Sequence, residues 1–419
     1  MNLEITGTWD LVLMKTSIYT EKRYRQSALD EANRVSEQVK SRFTKWLVSQ
    51  RYLVHQKDVD HLLSRESDFC DSVILNEAER VGVQQRLLLE CEQARVKEKR
   101  LDEQTRQERY KMVSAVVMKT AEDVLSKTLN DTNPKKLVIG TPYFEEFASF
   151  AYGESLDFNK LGSLCTLSNA LSNSILDLVN NAKFCEKKGQ QVKNIRDPKT
   201  AIGFIGIESC RMIFPVFMSK QLLKWSDKNT KIMVPKIWQS AITTANVTKM
   251  RLEDVGYKDP DVGVLLGMMR SIGLFIISNN FTSSFNDALT LVMIDYKEKK
   301  MRDEYFSCAD VTPKLEYMPS IIDKFEGIVT KRIIETFDWD MNTIHIKKAL
   351  LEDIDNVPIL DRSILGVALA QGKAFTVFDM MQKSNVFDKN HLPYWLAHHQ
   401  IEMSTFTNLR SRNPGKFEF

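Results

Sequence analysis

The chain has 419 residues, 43% of them apolar and 27% charged, with 58 lysines and arginines against 55 aspartates and glutamates. This is the composition of a packed globular protein, long enough for two domains or for one with a long extension, and a formal net charge of +3 singles out no class of partner. Six cysteines are scattered without CxxC spacing, several inside helical patterns where a reduced cysteine packs as a small apolar residue, and they read as reduced thiols of a cytoplasmic protein. The start, Met1-Asn2-Leu3-Glu4, lacks the basic-then-apolar pattern of a secretory signal, and the longest apolar run, near Gly273–Ile277, is too short to span a bilayer.

Residues 1–132 form the first region, a charged helical arm or hairpin. Gly82 is the single glycine after Gly7, and no proline precedes Pro134. This composition favours helix. Ala28, Ala32, Val35, Val39, Phe43 and Leu47, spaced by three or four and widened by Trp46, predict an amphipathic helix within about 21–54. A second helix is predicted from about Asn76 to Leu129. Its middle, 95–109, is almost wholly charged, with pairs such as Lys99–Glu103 and Asp102–Arg106 four apart. Its apolar positions sustain no clean heptad, so an arm packed at one end and solvated at the other is expected in preference to a regular coiled coil. Such an arm is suited to docking a partner or to homo-oligomer formation. The run Asn130-Asp131-Thr132-Asn133 before Pro134 reads as a linker and domain boundary.

From 135 to 395 helix-start signals recur. Thr141-Pro142, Asp197-Pro198 and Asp259-Pro260 each place a capping side chain before a proline at the first helical position, and Asp157 begins a further helix. Between them the apolar spacing is helical: Leu171, Ile175, Leu178 and Val179 form one stripe, and Ile202, Ile205, Met212, Ile213, Val216 and Phe217 another. The fold class is all-α, a multi-helix domain after a long helical arm, with a core built from apolar helix faces. Residues 396–419 are expected to be a tail, flexible around Arg410–Lys416. Met268-Met269 and Met380-Met381 read as core fillers.

The order of motifs over 135–395 resembles the HDOD family, the HD-related output domain of bacterial signalling proteins. Leu137-Val138-Ile139-Gly140-Thr141-Pro142 is similar to the family's opening turn. Leu171 through Asn180-Asn181-Ala182-Lys183-Phe184 resembles its Asn-Ser-Ala-aromatic helix end. Ile195, Ala201-Ile202 and Ile205-Gly206 resemble the helix that follows. Ile237-Trp238-Gln239-Ser240-Ala241 resembles its Leu-Trp-x-His-Ser. Gly267-Met268-Met269-Arg270-Ser271-Ile272-Gly273 resembles the segment that carries the His-Asp pair of HD phosphohydrolases. Phe325-Glu326-Gly327 and Phe337-Asp338-Trp339 resemble a later helix.

The resemblance implies a pocket at Ser240, Arg270 and Ser271, where the family's histidine and His-Asp positions fall. Serine hydroxyls and an always-protonated guanidinium cannot replace imidazole and carboxylate ligands, so no catalytic residue, metal or cofactor is expected. The expected function is non-enzymatic signal transduction, the degenerate HD-like domain serving as a platform for an unidentified signalling protein or a small anionic ligand. Trp238 is expected in the core, and Arg270 is expected either to pair with an internal acid or to receive an anion.

Two alternatives stand beside this reading. One is a metal-dependent phosphohydrolase acting on nucleotides or cyclic dinucleotides, with carboxylates such as Asp261, Asp287 or Asp295. The other is nucleic-acid binding through a basic patch of Lys183, Lys187, Lys188, Lys193, Arg196 and Lys199, which lacks the aromatic interleaving of an RNA surface and reads first as a solvated loop. His391, His398 and His399 near Trp395 read as surface or satisfied-core histidines, since adjacent His398 and His399 point to different helix faces. No GxSxG, GxxxxGK[ST] or GxGxxG occurs.

Overall fold

A computed structural model describes residues 17–20, 22, 24–49, 90–138, 143–153, 158–187, 189 and 194–415. Every regular element among these residues is helical, as the sequence predicts. In chain order they are α1 (Gln26–Val48), α2 (Glu90–Asp131), α3 (Pro134–Leu137), α4 (Phe144–Tyr152), α5 (Phe158–Leu167), α6 (Asn169–Val179), α7 (Ala182–Lys187), α8 (Pro198–Ile205) and α9 (Ile207–Gln221). There follow α10 (Met233–Asp254), α11 (Val262–Arg270), α12 (Ile272–Glu298), α13 (Arg302–Ser307), α14 (Met318–Glu335), α15 (Ile344–Ile354), α16 (Ile364–Lys383), α17 (Leu392–His398) and α18 (Met403–Ser411). The expected starts at Thr141-Pro142 and Asp157, and the 76–89 part of the second predicted helix, lie outside the described residues.

The predicted stripe of α1 is buried at Ala32, Val35, Val39, Phe43, Trp46 and Leu47, and the helix packs on α14 and α17. At 42 residues, α2 is about 63 Å long. Its charged first half is exposed, with Leu101 63% accessible. Its second half lies along α12, burying Val113, Val117 and Ala121 against Phe285, Ala288 and Val292. Leu125 and Leu129 continue into the main core. Arg106 and Arg109 reach across to Asp310 and Asp303, at 3.7 and 3.0 Å. The Asn133 side chain caps α3 by accepting from Lys135 N, and Pro134 opens that helix, which explains the break the polar run predicts.

Asp197 caps α8 as expected, accepting from Thr200 N. Asp259 does not cap. Its carboxylate pairs with Arg211 at 2.8 Å, and α11 begins at Val262, because a nearby guanidinium outcompetes a backbone amide for the charge. Asn180 clamps the following segment, exchanging two 2.9 Å hydrogen bonds with the Ile195 backbone.

The centre of the fold is α10, α11 and α16, packed on one another. Gly267 lets α11 approach α10 closely: a Cβ there would lie 2.5 Å from Ala245 Cα. Gly273 likewise has no room for a side chain beside the Glu326 carbonyl and the Thr330 hydroxyl. Met268, Met269, Met380 and Met381 are core residues, as expected. Trp238 differs from expectation. It is half-buried, edge-on to Trp225 at 5.7 Å, because Ile237 and Ala241 take the inward face of α10.

The expected flexible tail is packed through Gly415. Phe406 and Leu409 of α18 are buried. Arg412 pairs with Glu253 at 2.7 Å, while the Pro414 and Gly415 carbonyls accept from Asn246 and Gln239. Two stretches, Val262–Glu298 and Ile364–Lys383, are long and apolar enough for a bilayer by composition alone, a length the short-run sequence reading missed because α11 and α12 follow without a gap. Within the fold 89% and 78% of their apolar windows are buried.

Candidate functional site

Ser240 on α10, Arg270 at the end of α11 and Ser271 beside it all line one cleft of about 2020 Å3. The walls come from α1, α14, α16, α17 and the segment between α15 and α16. The three positions singled out by sequence thus line the same cleft. Ser240 and Arg270 are buried, while Ser271 is partly buried and turns its hydroxyl to the Gly267 carbonyl at 3.0 Å.

The partners of Arg270 come from elsewhere in the chain. Its Nε donates to Asp353 Oδ2 on α15 at 2.5 Å, and its Nη1 pairs closely with Glu326 on α14. Arg270 keeps 7% of its surface and Asp353 6%, so the pair is shielded from water. Arg362 Nη1 donates to Asp353 Oδ1 at 3.0 Å, and Lys373 Nζ on α16 reaches Oδ2 at 2.6 Å. Three cations thus converge on one carboxylate. Burial alone would raise the Asp353 carboxyl, but Lys373, Arg270 and Arg362 hold it well below the usual carboxylate range. Burial likewise opposes the Arg270 charge, and Glu326 and Asp353 outweigh it and raise its pKa.

This network binds α11, α14, α15 and α16 together through charge-assisted hydrogen bonds. Of the two options the sequence left for Arg270, the internal acid is the one realised. Both carboxylates nearest to it are engaged by fixed cations. Among the described residues, no group of three or more His, Cys, Asp or Glu has the geometry to hold a metal ion. Asp261 sits apart beside Lys249 at 3.5 Å, Asp287 is exposed, and Asp295 is exposed and paired with Lys299, so the alternative catalytic carboxylates do not join the cleft.

His398 and His399 also line the cleft, where α17 meets α1. His398 Nδ1 lies 2.9 Å from Asn33 Oδ1. Burial, with Lys40 nearby, pushes the His398 pKa down to about 4; burial and His398 push that of His399 well below the ordinary value. His391 stands elsewhere, 3.8 Å from Asp388. Of the basic patch, Lys183, Arg196 and Lys199 are exposed. Lys188, Lys193 and the side chain of Lys187 lie outside the described residues.

Sequence reasoning missed Glu326, Asp353, Arg362 and Lys373. Glu326 stood inside a motif already noted, Phe325-Glu326-Gly327, and was the one available signal. The others sit in ordinary helical or loop contexts, and only the tertiary arrangement brings them to Arg270.

The family model for the HDOD domain matches residues 144–308. The match takes in Ser240, Arg270 and Ser271, and ends before Glu326, Asp353, Arg362 and Lys373. It is shorter than the 135–395 span of the motif resemblance and leaves out the Phe325–Trp339 pieces. No curated protein and no solved structure matches the chain.

Proposed function

Taking as premise that residues 144–308 form an HDOD domain, which belongs to a signalling-associated family, we propose that this chain is a non-enzymatic regulatory protein of bacterial signal transduction. Its degenerate HD-like region acts in the cytoplasm as a platform for a signalling protein or a small anionic ligand. One observation carries the reading. At the floor of the cleft, where an HD hydrolase would need imidazole and carboxylate ligands, a buried guanidinium is locked between Glu326 and Asp353. A divalent cation placed there would meet Arg270, Arg362 and Lys373 as competitors for the same oxygens. A hydrolase needs an open coordination position and an activated water, and this arrangement favours neither.

The test is metal content and turnover. The purified full-length chain, supplied with Mg2+, Mn2+, Fe2+ or Zn2+, is expected to retain no stoichiometric metal and to hydrolyse neither simple phosphodiesters nor cyclic dinucleotides. Stoichiometric metal together with turnover that Arg270→Met changes would overturn the proposal.

A further inference from the structure

The charges at the floor of the cleft do not balance. Arg270, Arg362 and Lys373 bring three positive charges, while Asp353 and Glu326 bring two negative ones. Their donors are also not exhausted. A guanidinium carries five N–H donors. Arg270 uses Nε and Nη1; Arg362 uses Nε toward the Val357 carbonyl at 2.7 Å and Nη1 toward Asp353. Among the described residues, no hydrogen bond takes the Nη2 of either. The Lys373 side chain keeps 35% of its surface exposed, with two protons beyond the one given to Asp353.

Ser240 lines the same cleft.

Resting on the reading of this cleft as a binding surface, we infer that its floor takes the phosphate group of a small organic phosphate. Arg270, Arg362 and Lys373 neutralise it. A phosphate offers oxygens in several directions to donors arriving from α11, α16 and the segment before α16, whereas a carboxylate offers two oxygens in one plane. The cleft is far larger than a bare ion, which leaves room for the organic part.

The full-length chain is titrated with inorganic phosphate at constant ionic strength, with chloride as the balancing anion. Melting temperature and the 31P linewidth of the probe are recorded. Wild type is expected to show a saturable rise in melting temperature with broadening of the phosphate signal. Lys373→Met should weaken binding at least about tenfold, the loss of one charge-assisted contact. Lys297→Met, on the exposed face of α12, should bind as wild type does. Ser240→Asp breaks no ion pair and puts a negative charge beside the floor, so it should abolish binding; this variant decides the matter if Lys373→Met does not fold. A wild-type response that does not saturate, or equal binding by wild type and Ser240→Asp, overturns the inference. Either result leaves the metal and turnover test of the broader reading untouched, and phosphate binding would survive even if that test revealed a hydrolase.

Discussion

Arg270 and Asp353 stand 83 positions apart in the chain, yet the Nε of one donates to the Oδ2 of the other at 2.5 Å in a site almost closed to water. The contact joins the end of α11 to α15 and carries the polar organisation of the cleft. Replacing Arg270 by Met strands Glu326 and removes one of three cations from Asp353. Urea unfolding should show a loss of about 3–5 kcal/mol, the usual cost of breaking a buried pair from one side. The double variant Arg270→Met/Glu326→Gln should recover part of that loss. A single variant as stable as wild type would mean that the guanidinium is solvated in solution.

The acid limb of stability should carry the signature of Asp353. Its folded pKa lies below the unfolded value of about 4, so its contribution is complete above that pH and is lost as pH falls through the folded value. Asp353→Asn should therefore be less stable than wild type at neutral pH and show a shallower decline below about pH 4. Parallel acid limbs in the two proteins would contradict the assignment.

His398 should govern a different window. Its folded pKa of about 4 lies below the unfolded value of 6.5, so the fold holds it neutral while the unfolded chain takes up a proton as pH falls. Stability is unaffected above about pH 6.5 and declines between there and pH 4, by about 3 kcal/mol at the lower end from this residue alone. His398→Asn, which keeps a partner for Asn33, should flatten that part of the profile. An unchanged slope would place His398 in solvent.

Gly267→Ala tests the contact between α10 and α11. The added methyl meets Ala245 backbone atoms, which cannot move aside as a flexible side chain can. The expected cost is about 1–3 kcal/mol from overpacking, against the small gain that alanine gives in an unconstrained helix. A melting temperature equal to or above that of wild type would show that the two helices sit farther apart.

The polar run at 130–134 should resist limited proteolysis, despite its linker-like sequence. Arg332 on α14 holds the carbonyls of Leu129 and Thr132, the latter at 2.8 Å, so the backbone is not free to enter a protease cleft. Arg332→Ala should expose a cut between Leu129 and Lys136. Cleavage there in the wild type at the same rate would show that these bonds do not persist.

The sequence by itself determined the helices and their inward faces. The buried stripes at Ala32 to Leu47 and at Leu171, Ile175 and Val179 follow from a period of 3.6 residues, and Asp197 and Pro198 mark a start by local chemistry. Its resemblance to a known family, through Ile237–Ala241 and Gly267–Gly273, also pointed to Ser240, Arg270 and Ser271, which line one cleft. The tertiary structure decided everything that depends on partners distant in the chain. Asp259 chose Arg211 over its own helix, Trp238 turned to Trp225, and the tail settled on Glu253, Gln239 and Asn246. The same holds for Arg270. A lone arginine in an apolar helix favours an internal ion pair but is also consistent with a ligand site. Periodicity reports which face of a helix is buried; an ion pair depends on which charge from another helix arrives within about 4 Å, and only packing of the whole chain sets that distance.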